Sequence, residues 1–265
     1  MKTQIFNTLF ILAIITGFTS CKKDDVMPSG TETGILTLDF DPRFGDQAFD
    51  FDVNFTLSNG EIVKFSTFKY FISNIELIKN GQVAYTVPKK ESFFLIDNSK
   101  TASRTIQLSD IPVDNYTEIR FIVGIDSLTN TLPVEERTGT LDVGTTAAGM
   151  YWAWNSGYIF LKVEGTSETN PAEDKSFQYH IGGFGGYSTP TVNNIRTVSV
   201  YRTDYAPISI QANKTRDAHI LVDLKKLFET PTPFSVAENS MVMLSPFSTT
   251  ISGNYMNMFT LDHVH

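Results

Sequence analysis

Apolar and polar positions alternate along most of this chain with a period of two. In residues 35–40, Leu36, Leu38 and Phe40 share one side while Thr37 and Asp39 take the other. Residues 51–57 repeat the pattern, which is that of a strand with one buried face. Ser58-Asn59-Gly60 and Asn80-Gly81 punctuate the early strands, since Asn-Gly tolerates the positive φ of a tight hairpin turn. Further strands are predicted over 69–78, 82–87, 93–96, 105–108, 117–125, 157–164, 177–181, 197–201 and 219–224, with a last segment over 256–265. The one helical stretch, 223–228, is stopped by Pro231 and Pro233. Many short strands with regular turn signals predict an all-β fold, a single antiparallel β-sandwich-like domain with long loops, spanning residues 34–265.

The first residues break this pattern. Lys2 precedes a mostly apolar run over 5–15, too short for a permanent span of ~20 residues but suited to a cleaved signal. Phe18-Thr19-Ser20-Cys21 resembles a bacterial lipobox, and Cys21 is the only cysteine in the chain. The expectation is a signal peptide over 1–20 and a lipidated tether over 21–33, with Cys21 acylated and the membrane reached through the lipid alone. Lys22-Lys23-Asp24-Asp25 resembles the export signal of Bacteroidetes surface lipoproteins, and reads equally as a solvated charged tether. The expected location is the outer membrane, cell-surface exposed or facing the periplasm. A net charge of −8 repels nucleic acid phosphates, so no nucleic-acid partner is expected.

The usual catalytic signatures are absent: no Gly-x-Ser-x-Gly, no His-Glu-x-x-His and no P-loop. Gly182-Gly183-Phe184-Gly185-Gly186 opens no helix and reads as a tight glycine turn. The acidic positions Asp39, Asp41, Asp46, Asp50 and Asp52 lack the spacing of a calcium loop and read as a solvated strand edge. No nucleophile and base pair stands out, so a binding protein rather than an enzyme is expected.

Histidine is more informative. The chain has four, His180, His219, His263 and His265. On a strand, His263 and His265 leave the same face roughly 7 Å apart at Cβ, a spacing that suits two imidazoles on one ion. With Cys21 acylated no thiolate remains, so imidazole chemistry, that of copper, zinc, iron and nickel, is what is left. The other unusual segment is residues 149–160, which holds both tryptophans, Trp152 and Trp154. Taken alone it reads as an aromatic core plug or a stacking platform for a glycan.

Together these segments resemble the MbnP-like copper-binding proteins. The resemblance is carried by Phe68 to Ile75, by Asn115 to Ser127, and above all by Gly149-Met150-Tyr151-Trp152-Ala153-Trp154-Asn155-Ser156-Gly157-Tyr158. Tyr179-His180-Ile181-Gly182-Gly183, residues 219–223 and residues 254–265 complete it. It implies a β-sandwich that binds copper through His180, His219, His263 and His265. It also implies oxidation of Trp152 or Trp154 to kynurenine by a di-haem partner of the MauG or cytochrome c peroxidase type, the product lying in or near the metal site. Residues 41–45 depart from the pattern, a more apolar strand turn being expected there. A site that drew a histidine from that turn would be built differently in this chain. The competing reading is a metal-free surface module for glycans or a partner protein, with scattered histidines.

Overall fold

The computed structural model describes residues 32–154 and 157–265; the signal, Cys21 and the charged tether lie outside the described residues. The long strands are β1 (Thr33–Phe44), β2 (Ile62–Lys79), β3 (Gln82–Thr86), β4 (Phe93–Asp97), β5 (Thr105–Pro112), β6 (Glu118–Val123), β7 (Gly157–Ser167), β8 (Ser176–Gly182), β9 (Arg196–Val200), β10 (Thr215–Asp223) and β11 (Phe259–Val264). They form two sheets packed face to face, the all-β sandwich that the alternation predicts.

The smaller sheet runs β11-β10-β1, with β5 along the other side of β1. Its pairings are antiparallel except β1 with β10, which are parallel, with Asp39 beside His219. Period-two sorting is strict here. Leu36, Leu38 and Phe40 of β1 and Ala218, Ile220 and Val222 of β10 are fully buried. Asp39, Asp41 and His219 are therefore on the outer face. Phe40 anchors the inter-sheet core edge-on against Tyr70, Phe121 and Phe259, with ring centroids at 6.4, 6.0 and 6.4 Å. Fully burying such a side chain is worth about 1.5–3 kcal/mol, so this layer fixes the position of β11.

The larger sheet is built on β2. β7 pairs along its first half and β6 along its second, while β4 and β3 pair along its other edge. Asn74, at φ 52°, marks the slip in register between Ser73 and Glu76. Phe68 and Tyr70 face the inter-sheet core. Phe71 faces outward and joins a second apolar cluster with Met150, Trp152, Tyr158 and Phe160. The long loop between β6 and β7 thus covers part of the larger sheet's outer face. Asn130 pins it, donating to the Ile125 carbonyl at 2.6 Å and accepting from the Tyr158 amide at 3.0 Å.

Two expectations need correcting. Of residues 51–57 only Asn54–Thr56 is strand, because Phe49 and Phe51 fold inward, packing edge to face 4.9 Å apart, rather than continuing the edge. A helix that the pattern did not predict, α1 (Ser248–Tyr255), precedes β11. Its Ser, Thr and Gly content is poor for a helix. Tertiary hydrogen bonds hold it: Asn254 donates to the Leu227 and Thr232 carbonyls at 2.9 and 2.7 Å, and Ser252 donates to Asn194 at 2.9 Å. The glycine turn is present, with Gly183, Gly185 and Gly186 all at positive φ.

Candidate metal centre

Strand alternation explains how His219 reaches the surface, but it would bury His263. On β11, Phe259 and Leu261 point into the core, and a regular strand would send His263 after them. The pairing with β10 instead slips: Ile220 opposes Leu261, and His219 opposes His263. Asp262 is the extra residue of a β-bulge, a device that re-aims side chains beside functional sites. Asp262 and His263 therefore leave the outer face one after the other. Val264 then packs back against the core, and His265 is exposed.

The bulge builds a compact cluster. The ligand-capable atoms of His219, Asp262 and His263 lie within 4.8 Å of one another. Asp262 Oδ2 is 2.8 Å from His263 Nδ1 and 3.7 Å from His219 Nδ1. The rings of His219 and His263 lie 4.9 Å apart at 30°, and His265 stacks on His263 at 5.2 Å and 20°. On the far side of His219, Asp41 Oδ2 stands 3.8 Å from Nε2. The His263 imidazole beside it holds the Asp262 carboxyl below the usual carboxylate range. Most telling is His219 Nδ1, a buried polar atom with no hydrogen-bond partner. Buried polar atoms are nearly always paired; of the seven unpaired ones among the described residues, this one faces a carboxylate and a second imidazole.

Donor spacing fits an ion. Around a metal held at ~2.0–2.1 Å from nitrogen, neighbouring donors sit roughly 2.9–3.4 Å apart. The 2.8 Å separation, a hydrogen bond between His263 and Asp262, and the 3.7 Å separation fall on either side of that range. Asp41, 3.8 Å from His219 Nε2, lies beyond hydrogen-bond distance and adds a negative charge near the cluster. Asp41 and Asp262 are the residues that the sequence reading missed as site members. Asp262 had a readable signal, its place directly before His263-Val264-His265 at the end of an amphipathic strand.

His180 is placed elsewhere. It sits on β8 with Tyr179 and Ile181 buried on either side of it, so it points from the outer face of the larger sheet. The inter-sheet core lies between it and His219, and one ion cannot take both. Its Nε2 lies 2.7 Å from Glu164 Oε1, whose other oxygen accepts from Thr67 at 2.8 Å, with Lys162 at 3.3 Å. Burial holds His180 below the ordinary histidine range, against the pull of Glu164. Burial alone would raise the Glu164 carboxyl, but the hydrogen bonds from His180 and Thr67, with the Lys162 charge, hold it low.

The tryptophans lie on that same larger-sheet face. Trp152 is 5% exposed and packs on Gly182, where a Cβ would come within 2.7 Å of its ring. Trp154 is 66% exposed, its ring 5.3 Å from that of Trp152. Neither belongs to the His219 cluster, so a group made from them does not fit as a ligand there.

The MbnP family model matches residues 33–245. MbnP from Methylosinus trichosporium has a similar fold, with a TM-score of 0.54 and 15% identity over 81% of this chain and 82% of that one. No curated protein matches. His180 and His219 fall inside the matched stretch; Asp262, His263 and His265 follow it. The match spans well over half of the sequence, and the chain belongs to the MbnP family.

Proposed function

We propose that this protein binds one transition-metal ion, copper by its family resemblance, at His219, His263 and Asp262, and serves in metal acquisition or handling without turnover. The observation that carries the reading is the orphan Nδ1 of His219, facing Asp262 and His263 across distances that an ion would span. His265, stacked on His263, is the fourth candidate donor. The protein would hold the ion in the envelope, anchored to the outer membrane through acylated Cys21. Titration of the purified protein with copper and zinc tests it: one tight equivalent, lost in His219→Ala and in His263→Ala, is expected. Undiminished binding in both variants would refute it.

An oxidised tryptophan is kept as a separate feature of the larger sheet's face. A di-haem partner would reach Trp154 at the surface, and no metal ligand at the His219 centre depends on the product. The mass of the protein after incubation with such a partner tests this, with Trp154→Phe expected to suppress any added oxygen. The same exposed ring is what favours the alternative of a stacking platform for a glycan or partner protein. On that reading, removing Trp154 weakens glycan retention and leaves metal binding unchanged.

A further inference from the structure

Resting on the lipid-anchor reading above, we infer that the loop between β9 and β10 is a second membrane contact, which sets Tyr201 and Tyr205 into the bilayer interface and orients the domain. The two rings stand at the surface, 52% and 84% exposed, with centroids 6.3 Å apart and planes 13° from parallel. A tyrosine, with an apolar body and a polar tip, suits the boundary between lipid and water. The loop is built to present them. Arg202 grips Asp204 through two nitrogens, at 2.8 and 2.6 Å, and Asp204 accepts from the Ala206 amide at 3.1 Å. Tyr205 is held at φ 57°, a conformation that a bulky residue rarely adopts. Arg202 and Asp204 are the only charged residues in 201–213 and cancel one another, so the loop carries no net charge for an anionic lipid to repel.

Place in the fold decides the occupant. The loop runs on into Ile208 and Ser209, which pair with Tyr116 and Asn115, and into Asn213, whose amide donates to the Thr33 carbonyl at 2.9 Å. The Ile210 amide donates to Asp114 and the Val113 amide to Glu32, both at 2.9 Å, and Lys79 pairs with Asp114 at 2.5 Å. The tyrosines therefore sit at the Lys79 end of β2, the end at which the chain enters the domain at Glu32. From an acylated Cys21, the residues up to Glu32 reach at most roughly 40 Å, so this end is kept near the bilayer. A lipid anchor is reinforced by a second contact with the same membrane, and two interfacial rings at the tethered end supply it. Arg202 also donates to the Val264 carbonyl at 3.4 Å, which braces β11 against the docking loop.

The test uses the acylated full chain, in which an introduced cysteine is the only free thiol. A nitroxide is placed on Thr203→Cys, exposed between the tyrosines, or on Glu173→Cys, exposed in the turn beyond Ser167, which pairs with Val63 at the opposite end of β2. Each protein is bound to phosphatidylethanolamine–phosphatidylglycerol vesicles, and its collision with a neutral, water-soluble paramagnetic chelate is read by power-saturation EPR. Vesicles are expected to lower collision at position 203 by at least about threefold, as burial at the interface does, and to leave position 173 unchanged. With Tyr201→Ser and Tyr205→Ser added, position 203 should regain its collision rate while the protein still floats with the vesicles. Equal accessibility at the two positions, or protection at 203 that survives loss of both rings, would overturn the contact and leave the anchor standing. A parent protein that does not float with the vesicles would refute the anchor, and this inference with it.

Discussion

The two outer faces of the sandwich each carry a histidine beside a carboxylate, yet they are chemically opposite. At His180 every strong partner is engaged: Glu164 takes the imidazole, Thr67 and Lys162 together. At His219 a single carboxylate oxygen is shared between two rings, and one buried nitrogen has no partner at all. A saturated network stabilises the sheet it sits on. An undersaturated one of similar composition is where we propose the ion binds. Pairing state, rather than the presence of histidine, separates structure from site.

The largest effect expected to sharpen this contrast is on metal affinity. His219→Ala should lower it by about a hundredfold or more, whereas His180→Ala should leave it within about threefold. Equilibrium titration of both variants decides the matter, and comparable losses would erase the distinction between the faces.

Deleting Asp262 should come next. Without the extra residue β11 regains strict alternation and His263 turns toward the core beside Leu261. Metal binding should be lost, and burying an unpaired imidazole should cost about 1–3 kcal/mol, read from denaturant unfolding. Asp262→Asn keeps the chain length, so it should leave unfolding within about 0.5 kcal/mol of the parent, as surface changes do.

Breaking the saturated face should act on stability alone. Glu164→Ala leaves His180 and Thr67 without their acceptor and should cost about 1–3 kcal/mol with metal affinity unchanged. The pH dependence follows from the same network. His180 is held below its ordinary value, so the unfolded chain binds the proton first. Its contribution to stability is complete above pH ~6.5 and declines as pH falls toward the lower folded value. Glu164, also held low, contributes fully above pH ~4.3, and that part is lost as pH falls through its folded value. Unfolding midpoints measured from pH 7 down to 5 should fall, and the fall should flatten in His180→Gln.

The smallest expected effect is at Asp41. Asp41→Asn should weaken metal binding by about twofold, since Asp41 acts on the centre through its charge alone. The unfolding midpoint of the metal-free protein should not change.

Much of this was legible in the residues. Strict alternation in β1 set Leu36, Leu38 and Phe40 on one side, and that side is the buried one. The resemblance carried by the Trp-rich and His-Ile-Gly-Gly segments led to the family. What the pattern could not show was depth across the sandwich. Outward-facing histidines on different sheets look alike in sequence, and only the layer order separates His180 from His219. The bulge was equally hidden, because one inserted residue leaves no trace in a short strand until its partner's register is known. Asp41 is distant in sequence and reaches the centre only because β1 lies parallel beside β10. Helix α1 was missed for a related reason, its stability coming from the hydrogen bonds of Ser252 and Asn254 to Asn194, Leu227 and Thr232 rather than from intrinsic helix propensity.

The most direct test is to follow the imidazole nitrogens themselves. Protein labelled with 15N in histidine, titrated with zinc(II), should show the Nδ1 signals of His219 and His263 shifting together and saturating at one equivalent. His180 should not move. A shift at His180, or unperturbed signals at His219 and His263 with zinc bound, would contradict the assignment of the centre to the smaller sheet.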